Sequence, residues 1–319
     1  MSRVRHARDW IAGLLEPSLG DLRRQYDARQ LAIPFWYLRE RLPDPPPSIT
    51  LVTPSLNQGR FVARAAESVL GQGYPRLEYV IRDGGSSDET MSRLERFRSR
   101  LAALESRPDG GQAAAINAGF AGTDGEIMGW LNADDVLLPG SLACVARFFA
   151  RHPSVDVVYG DRVVIDEWDR DIGIWALPPH RADALRWTDF IPQECTFWRR
   201  SIWERCGPLD ESLSYALDWD LLRRFEASGG RFRHVRRLIA GFRRHSAQKT
   251  SHDAYEPIPE PALEELALVQ RRWNGVEISE VEAFMRSQRY RLRAIPSRLA
   301  YRALERLPYP RVEAHYRSV

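Results

Sequence analysis

Residues 126–135 read Glu126-Ile127-Met128-Gly129-Trp130-Leu131-Asn132-Ala133-Asp134-Asp135, an apolar run that ends in an acidic cluster. The apolar part predicts a strand, and the cluster follows its carboxyl end. Two similar runs precede it at residues 49–52 and 77–82, and segments of helical character separate the runs. This alternation predicts an α/β fold with a mostly parallel central sheet and helices on both faces.

Two arms flank the predicted sheet domain, which we place at residues 48–250. The first arm, residues 1–47, ends in the proline cluster at residues 43–47, which favours an extended spacer. Ahead of the prolines, apolar side chains at roughly helical spacing predict a helical arm: Trp10, Ile11, Leu14, Leu15, Leu19 and Leu22. This arm would either pack on the domain or contact a membrane surface or a partner.

The second arm, residues 251–319, is expected to be helical and basic. From Phe284 onward it carries nine arginines against two acidic residues, Glu305 and Glu313. Such a tail is usually a solvated face, but it also suits peripheral contact with anionic lipid head groups.

The bulk composition excludes several classes of protein. A formal net charge of +3 over 319 residues argues against a nucleic-acid binder. Three cysteines without CxxC spacing argue against a disulfide framework and against a zinc site. No apolar run approaches the ~18 residues of a membrane-spanning helix, and no signal-peptide pattern follows Met1. We therefore expect a cytoplasmic protein that can lie peripherally on the inner face of the cell membrane.

Polar side chains follow three of the predicted strands. Thr53 and Ser55 follow the first, Asp83 follows the second, and Asp134 and Asp135 follow the strand that ends at residue 131. Ligands bind at the carboxyl ends of strands in open parallel sheets, so these side chains are expected to meet. Clustered carboxylates favour a bound cation, and Mg²⁺ or Mn²⁺ readily shares diphosphate oxygens. The plainer interpretations are an Asp-Gly-Gly turn and a helix cap.

Several stretches of the chain resemble glycosyltransferase family 2. Two of them follow the first strands: Val52-Thr53-Pro54-Ser55-Leu56-Asn57-Gln58-Gly59-Arg60-Phe61 and Val80-Ile81-Arg82-Asp83-Gly84-Gly85-Ser86-Ser87-Asp88. A third, residues 130–135, contains the acidic cluster. Later blocks resemble the family at residues 191–193, 207–211 and 217–221. The motifs follow the family's order across residues 48–250, and both arms lie outside them.

The resemblance implies a GT-A fold, with a nucleotide-binding half at about residues 48–136 and an acceptor half at about residues 137–250. It implies that Asp83 accepts hydrogen bonds from the nucleotide base. The acidic cluster matches the family's DxD element, with Asp135 as the preferred metal ligand and Asp134 at the ribose or sugar. The residues that the resemblance assigns to the nucleotide-sugar are Thr53, Ser55, Asn57, Asp83, Gly84, Asp109, Gln112, Asn117, Asp134 and Arg243.

Asp218 matches the family's catalytic base, which often follows a glutamate. Leu217 stands at that preceding position here, so one acidic contact to the acceptor or sugar is missing while the base is retained. A carboxylate is needed because an acceptor hydroxyl is a poor nucleophile until its proton is removed. A helix cap is the plainer role for Asp218, and both roles are compatible.

Residues 243–245 read Arg-Arg-His, and the family often has an Arg-x-His at this place. The resemblance implies that His245 faces the metal or the diphosphate, and His245 would then be a second metal ligand through a neutral nitrogen. An ordinary loop histidine fits the same pattern. Arg243 or Lys249 would neutralise phosphate charge.

These motifs together predict an inverting glycosyltransferase that uses Mn²⁺ or Mg²⁺. The donor would be a UDP-, GDP- or dTDP-linked sugar, and the acceptor a glycan, a lipid-linked glycan or a protein. The usual roles of the family that the chain resembles indicate bacterial surface polysaccharide or glycoconjugate synthesis.

Two other functions fit parts of the pattern. A sugar-nucleotide pyrophosphorylase would need a glycine-rich basic loop after the first strand, and residues 53–60 do not supply one. A catalytically silent nucleotide-sugar or glycan-binding module would have no need of Asp83, Asp135 and Asp218 together.

Overall fold

The computed structural model describes residues 25–249, 259–275, 282, 293–306 and 311–313. Within these residues ten strands form one central sheet, and two further strands form a separate pair. The helix predicted at residues 10–22 lies outside the described residues, as do residues 284–292, 307–310 and 314–319 of the basic tail.

Strands and helices alternate in the first half of the chain. In order, the elements are β1 (Arg29–Gln30), β2 (Ala32–Pro34), a 3-10 turn (Phe35–Arg39), β3 (Ile49–Ser55), α1 (Val62–Leu70), β4 (Leu77–Asp83), α2 (Thr90–Leu94), β5 (Ala103–Ser106), α3 (Gln112–Phe120) and β6 (Ile127–Trp130). Strands β6, β3, β4 and β5 are neighbours in that order and all parallel. The register sets Ser55 beside Asp83 and Asp83 beside Ser106, so the carboxyl ends share one edge.

Antiparallel strands complete the sheet in the second half. The elements are β7 (Val136–Leu137), α4 (Ser141–Arg151), β8 (Val157–Ile165), β9 (Arg170–Trp175), α5 (Ala182–Leu185), a 3-10 turn (Gln193–Cys195), β10 (Thr196–Arg199), α6 (Arg200–Cys206), α7 (Leu217–Ala227) and β11 (Phe232–Arg243). Strand β10 lies antiparallel between β6 and β8, whereas β11 runs parallel to β8. The prediction of a mostly parallel central sheet flanked by helices is confirmed.

The arms contain both helices and strands. After the sheet domain come α8 (Glu260–Asn274), α9 (Ile295–Arg306) and β12 (Arg311–Glu313). Strand β12 pairs antiparallel with β2, and β1 pairs antiparallel with β9, so the described parts of both arms join the sheet domain or each other. None of the described helices is long and apolar enough to cross a membrane.

The strands alternate their side chains between two apolar cores. Ile49 and Leu51 of β3 point into a core with α1 and α4, while Val52 points into a core with α3 and α7. Successive side chains of a strand face opposite sides of a sheet, so a buried sheet needs apolar residues at every position. Helix α3 approaches β3 closely at Gly119, where an added Cβ would lie 2.5 Å from Val52 Cγ1.

Two helices begin without a side-chain cap. Helix α1 begins at Val62, and the nearby Asn57 accepts a hydrogen bond from the Ser87 N–H. Helix α4 begins at Ser141, after Gly140 at a φ of 78°. A left-handed φ is readily adopted by glycine, so Gly140 turns the chain before the helix begins.

Candidate active site

A cavity of about 520 Å³ opens at the carboxyl ends of the parallel strands. Its wall comes from the ends of β3 and β6, the start of α3, the segment before β10, the start of α7 and the loop after β11. The charged side chains that line it are Asp109, Asp134, Arg162, Asp189, Glu194, Asp218 and Lys249. Five carboxylates against two cations make this a site that favours a bound cation.

Asp134 lines this cavity and is hydrogen-bonded to the buried His245. Asp134 lines the wall, and its Oδ2 lies 3.0 Å from His245 Nε2. His245 packs against the Phe61 ring, with ring centroids 4.6 Å apart, which orients the imidazole. Beside them, Gln112 Nε2 donates to Asn132 Oδ1 at 2.9 Å, and both side chains line the cavity. The pair thus joins a carboxylate of the cavity wall to a buried imidazole.

The structure places Asp135, the expected metal ligand, behind the cavity wall. Asp135 is 1% exposed, lies outside the cavity lining, and its Oδ1 accepts the Arg243 N–H at 2.9 Å. Burial, with the neighbouring Asp134 charge, raises its pKa well above the ordinary value. Asp134 therefore presents its carboxylate to the cavity, and Asp135 joins the acidic cluster to β11.

Arg243, which the resemblance assigns to the diphosphate, is also placed behind the wall. Its guanidinium is 1% exposed and ion-paired with Asp169 at 2.6 Å. It also donates to the backbone carbonyls of Asp134 and Asp166 at 2.7 and 3.0 Å. Among the described residues, the cations that do line the cavity are Arg162 and Lys249. Lys249 donates to the Ser214 carbonyl at 3.0 Å.

Asp218 lies in the first turn of α7 and lines the cavity. The N-cap residue of α7 is Ala216, so Asp218 is not the helix cap. Its Oδ1 instead accepts the N–H of the next residue, Trp219, at 2.9 Å. Burial raises the pKa of Asp218 to about 6, against the lowering effect of that hydrogen bond and of Arg162. A carboxylate with a raised pKa in a cavity suits a general base near neutral pH.

Three further charged side chains beside Asp218 were missed by sequence reasoning. Arg162 Nε lies 2.9 Å from Glu194 Oε1, and its guanidinium stacks 4.2 Å over the Trp175 ring. Asp189 lines the same wall and keeps a buried Oδ1 without a hydrogen-bond partner. Burial first, and the Asp218 charge second, raise its pKa well above the ordinary value.

No local signal could have singled out Asp189, one of 43 acidic residues, since it stands in a loop. Gln193 lies within the family-like block at residues 191–193, and Glu194 directly follows it. Proximity to that block was the available signal.

Asp83 is engaged by its own turn rather than by the cavity. It is 2% exposed, and its oxygens accept from the N–H groups of Gly85 and Ser86 and from the hydroxyls of Ser86 and Ser106. Gly84 N–H bonds to the Ser55 carbonyl at 2.8 Å. The assignment of Asp83 to the nucleotide base has no free carboxylate oxygen to support it here, and the turn interpretation accounts for its contacts.

Three more assigned residues also face away from the cavity. Thr53 is fully buried, with its Oγ1 2.9 Å from the Tyr79 hydroxyl. Exposed Asn57 links two loops through Ser86 and Ser87. The Asn117 side chain donates to the Leu209 carbonyl at 3.0 Å and accepts the Leu209 N–H at 2.9 Å. These side chains stabilise the loops around the site, because their polar atoms bond to other parts of the chain.

Three other assigned residues lie at the cavity. Ser55, Asp109 and Gln112 all line it. Asp109 Oδ1 accepts the Gly111 N–H at 2.8 Å just before α3. The buried Ser55 Oγ and Gln193 Oε1, like Asp189 Oδ1, have no hydrogen-bond partner. Buried polar atoms are rarely left unpaired, so unpaired atoms such as these around one cavity indicate a polar ligand.

Comparisons with known proteins identify the family. The sequence model of Glycosyl transferase family 2 matches residues 50–204. A PGL/p-HBAD biosynthesis glycosyltransferase of Mycobacterium bovis is 30% identical over 178 residues, which cover 54% of this chain and 68% of that protein. The O-antigen biosynthesis protein RfbC of Myxococcus xanthus is 29% identical over 213 residues, 65% of this chain but 17% of that longer protein.

A solved structure shows the same fold. The mannosyltransferase PcManGT from Pyrobaculum calidifontis, in complex with GDP-Man and Mn²⁺, superposes with a TM-score of 0.52 at 18% identity. The match covers 96% of this chain and 87% of that one. The predicted GT-A fold is confirmed, and with the relatives above it shows that the chain is an enzyme, a member of glycosyltransferase family 2.

Proposed function

We propose that this enzyme transfers a sugar from a nucleoside diphosphate-sugar to an acceptor hydroxyl with inversion of the anomeric centre. The observation that supports it is one cavity lined by Asp134, which is paired with the buried His245, and by Asp218. Ser55 and Gln112 add hydrogen-bonding groups to that cavity. Neither a pyrophosphorylase nor a silent binding module is favoured, because the Mycobacterium bovis relative is a glycosyltransferase.

The Asp134–His245 pair fits a divalent cation that a diphosphate shares. Within the described part of the chain, no group of three or more His, Cys, Asp or Glu side chains is arranged to hold a metal. A two-ligand set suits Mg²⁺ or Mn²⁺, which keep open positions for substrate phosphates. PcManGT was solved with GDP-Man and Mn²⁺. Such an ion, when bound, stabilises negative charge on the leaving diphosphate.

Asp218 acts as the general base. Once its carboxyl is ionised, one of its oxygens accepts the proton of the acceptor hydroxyl. At the same time, the hydroxyl oxygen of the acceptor attacks the anomeric carbon. The bond from that carbon to the diphosphate oxygen breaks on the opposite face, so the configuration inverts. The pKa of about 6 keeps Asp218 mostly ionised at neutral pH yet basic enough to take the proton.

The acceptor is proposed to be a growing bacterial surface polysaccharide or glycolipid. The support is that one relative is an O-antigen biosynthesis protein and another a PGL/p-HBAD biosynthesis glycosyltransferase. The enzyme is proposed to act at the cytoplasmic side of the membrane, which its basic C-terminal arm would contact peripherally.

A donor screen followed by product analysis tests the function. UDP-, GDP- and dTDP-sugars are added with Mn²⁺, and the donor that raises the melting temperature most is taken forward. Proton NMR of the product formed with a simple sugar or water as acceptor is expected to show the inverted anomer. A retained anomer contradicts the mechanism, and no melting shift or turnover with any donor contradicts the proposed donor class.

A further inference from the structure

The described part of the C-terminal arm forms hydrogen bonds with the segment that carries Asp218. Helix α8 lies outside the matched family region, which ends at residue 204. Its Glu265 reaches the loop before α7 and accepts the backbone N–H groups of Ser214, Tyr215 and Ala216. The distances are 2.8, 2.6 and 3.0 Å. A single carboxylate thus satisfies three consecutive donors from a distant part of the chain.

This contact lies next to the cavity. Ser214 and Tyr215 line the cavity themselves, and Ala216 is the cap residue of α7, two positions before Asp218. No side chain of the loop caps the helix. On the other side of the loop, Lys249 donates to the Ser214 carbonyl at 3.0 Å. The loop is therefore held through its N–H groups by α8 and through one carbonyl by the segment after β11.

A second contact from α8 fixes the helix just after Asp218. Asp220 is fully buried, and its Oδ1 accepts from Arg272 Nη1 at 2.9 Å and from Trp273 Nε1 at 3.0 Å. Helix α8 thus holds α7 at two points, one before Asp218 and one after it. A backbone segment that is pinned on both sides has little freedom to rotate or shift the side chain between the pins.

We infer that Glu265 is a positioning residue for Asp218: by binding the three N–H groups of the loop, it sets where the base stands in the cavity. This inference rests on the proposed role of Asp218 as the base. Small displacements of a base from its substrate lower the rate strongly, because proton transfer needs hydrogen-bond reach. The negative charge of Glu265 also suits three converging N–H donors, which form an anion-binding concavity.

The test compares Glu265→Ala and Glu265→Gln with Glu264→Ala in the full chain. Glu264 is the exposed neighbour on the same helix and serves as the matched control. We expect Glu265→Ala to lower kcat by about tenfold to a hundredfold while the donor KM and the donor-induced melting shift stay near wild type. Glu265→Gln keeps one acceptor oxygen and is expected to recover part of the rate. Glu264→Ala should match wild type.

Amide hydrogen exchange separates this inference from the proposed function. If Glu265 holds the loop, exchange at residues 214–219 rises in Glu265→Ala and is unchanged in Glu264→Ala, whether or not a donor is turned over. Unchanged exchange there overturns the inference. So does a fall in kcat that comes with an equal loss of donor affinity, because that pattern indicates general damage. If Glu265→Ala does not fold, the same readings are taken on Glu265→Gln.

Discussion

Asp83 at the end of β4 and Asp218 at the start of α7 are two carboxylates of one domain with opposite surroundings. The oxygens of Asp83 accept four hydrogen bonds from its own turn and from β5. Asp218 accepts one from the adjacent backbone and lines the cavity with a raised pKa. Asp83 is thus a fully hydrogen-bonded part of the scaffold, whereas Asp218 keeps an oxygen that can meet a ligand. Unsatisfied or perturbed groups cluster where proteins act on substrates.

The largest expected effect separates these two carboxylates. Asp218→Asn should lower kcat by about 10²- to 10⁴-fold, the usual contribution of a general base. The donor-induced melting shift should persist, because the amide keeps the shape of the side chain. Steady-state kinetics and a thermal-shift titration measure the two properties.

Asp83→Asn is the counterpart. It should lower the stability by about 1–3 kcal/mol, because a turn donor loses its acceptor, and leave kcat within a few-fold of wild type. A large loss of kcat in a folded Asp83→Asn protein, measured at a temperature well below melting, would return Asp83 to the substrate site.

A second effect sharpens the contrast between the two adjacent acids of the cluster. Asp134→Asn should abolish the Mn²⁺-dependent part of the donor melting shift and lower kcat by about 10²-fold or more, since charge stabilisation by a metal is worth several kcal/mol. Asp135→Asn should retain both, because an amide oxygen can still accept the Arg243 N–H. The reverse pattern would make Asp135 the ligand.

The pH dependence of kcat is a third, smaller effect. Asp218 must be ionised to take a proton, so kcat should rise as the pH increases through about 6. The Glu194 charge raises the pKa of Asp218, and Arg162 lowers it. Glu194→Gln removes the first charge, so the rise should move to lower pH. A rise that stays in place, or moves upward, contradicts this account. The variant also loses the ion pair with Arg162 and with it some stability. The assays are therefore run well below its melting temperature.

The smallest effect compares two hydroxyls at the end of β3. Ser55→Ala should raise the donor KM a few-fold without loss of stability, because its Oγ lines the cavity unpaired. Thr53→Val should leave KM unchanged and cost about 1 kcal/mol of stability, since its Oγ1 bonds to the buried Tyr79 hydroxyl. Kinetics with chemical denaturation distinguish them. A KM change in Thr53→Val, with Ser55→Ala silent, would exchange their roles.

The fold was predictable where the chain repeats a simple pattern. Strands β3, β4 and β6 are short apolar runs that end in polar residues, and each lies within a residue or a few of its predicted bounds. Strand β11 was not predicted. Its sequence carries four arginines among twelve residues, which hides the apolar alternation. Those arginines are accommodated by partners that only the folded chain supplies, as Arg237 shows by pairing with Glu40 at 2.7 Å.

The candidate site divides in the same way. The sequence indicated Ser55 and Asp134 through strand ends, and Asp109, Gln112 and Asp218 through the family resemblance; all five line one cavity. It could not separate Asp134 from Asp135, because these neighbours differ only in which one is turned toward the cavity. It gave no reason to choose Asp189, which reaches the wall from a loop.

By itself the sequence determined the α/β order, the sheet edge at which the cavity opens, and the residue types available there, because strand and helix periodicity are local properties. Tertiary structure decided which of those residues remain free. Arg243 reaches back across 108 residues to occupy Asp135, and Glu265 across about fifty to hold the loop before Asp218. Burial and hydrogen-bond partners of that kind come from distant segments, so no local pattern records them.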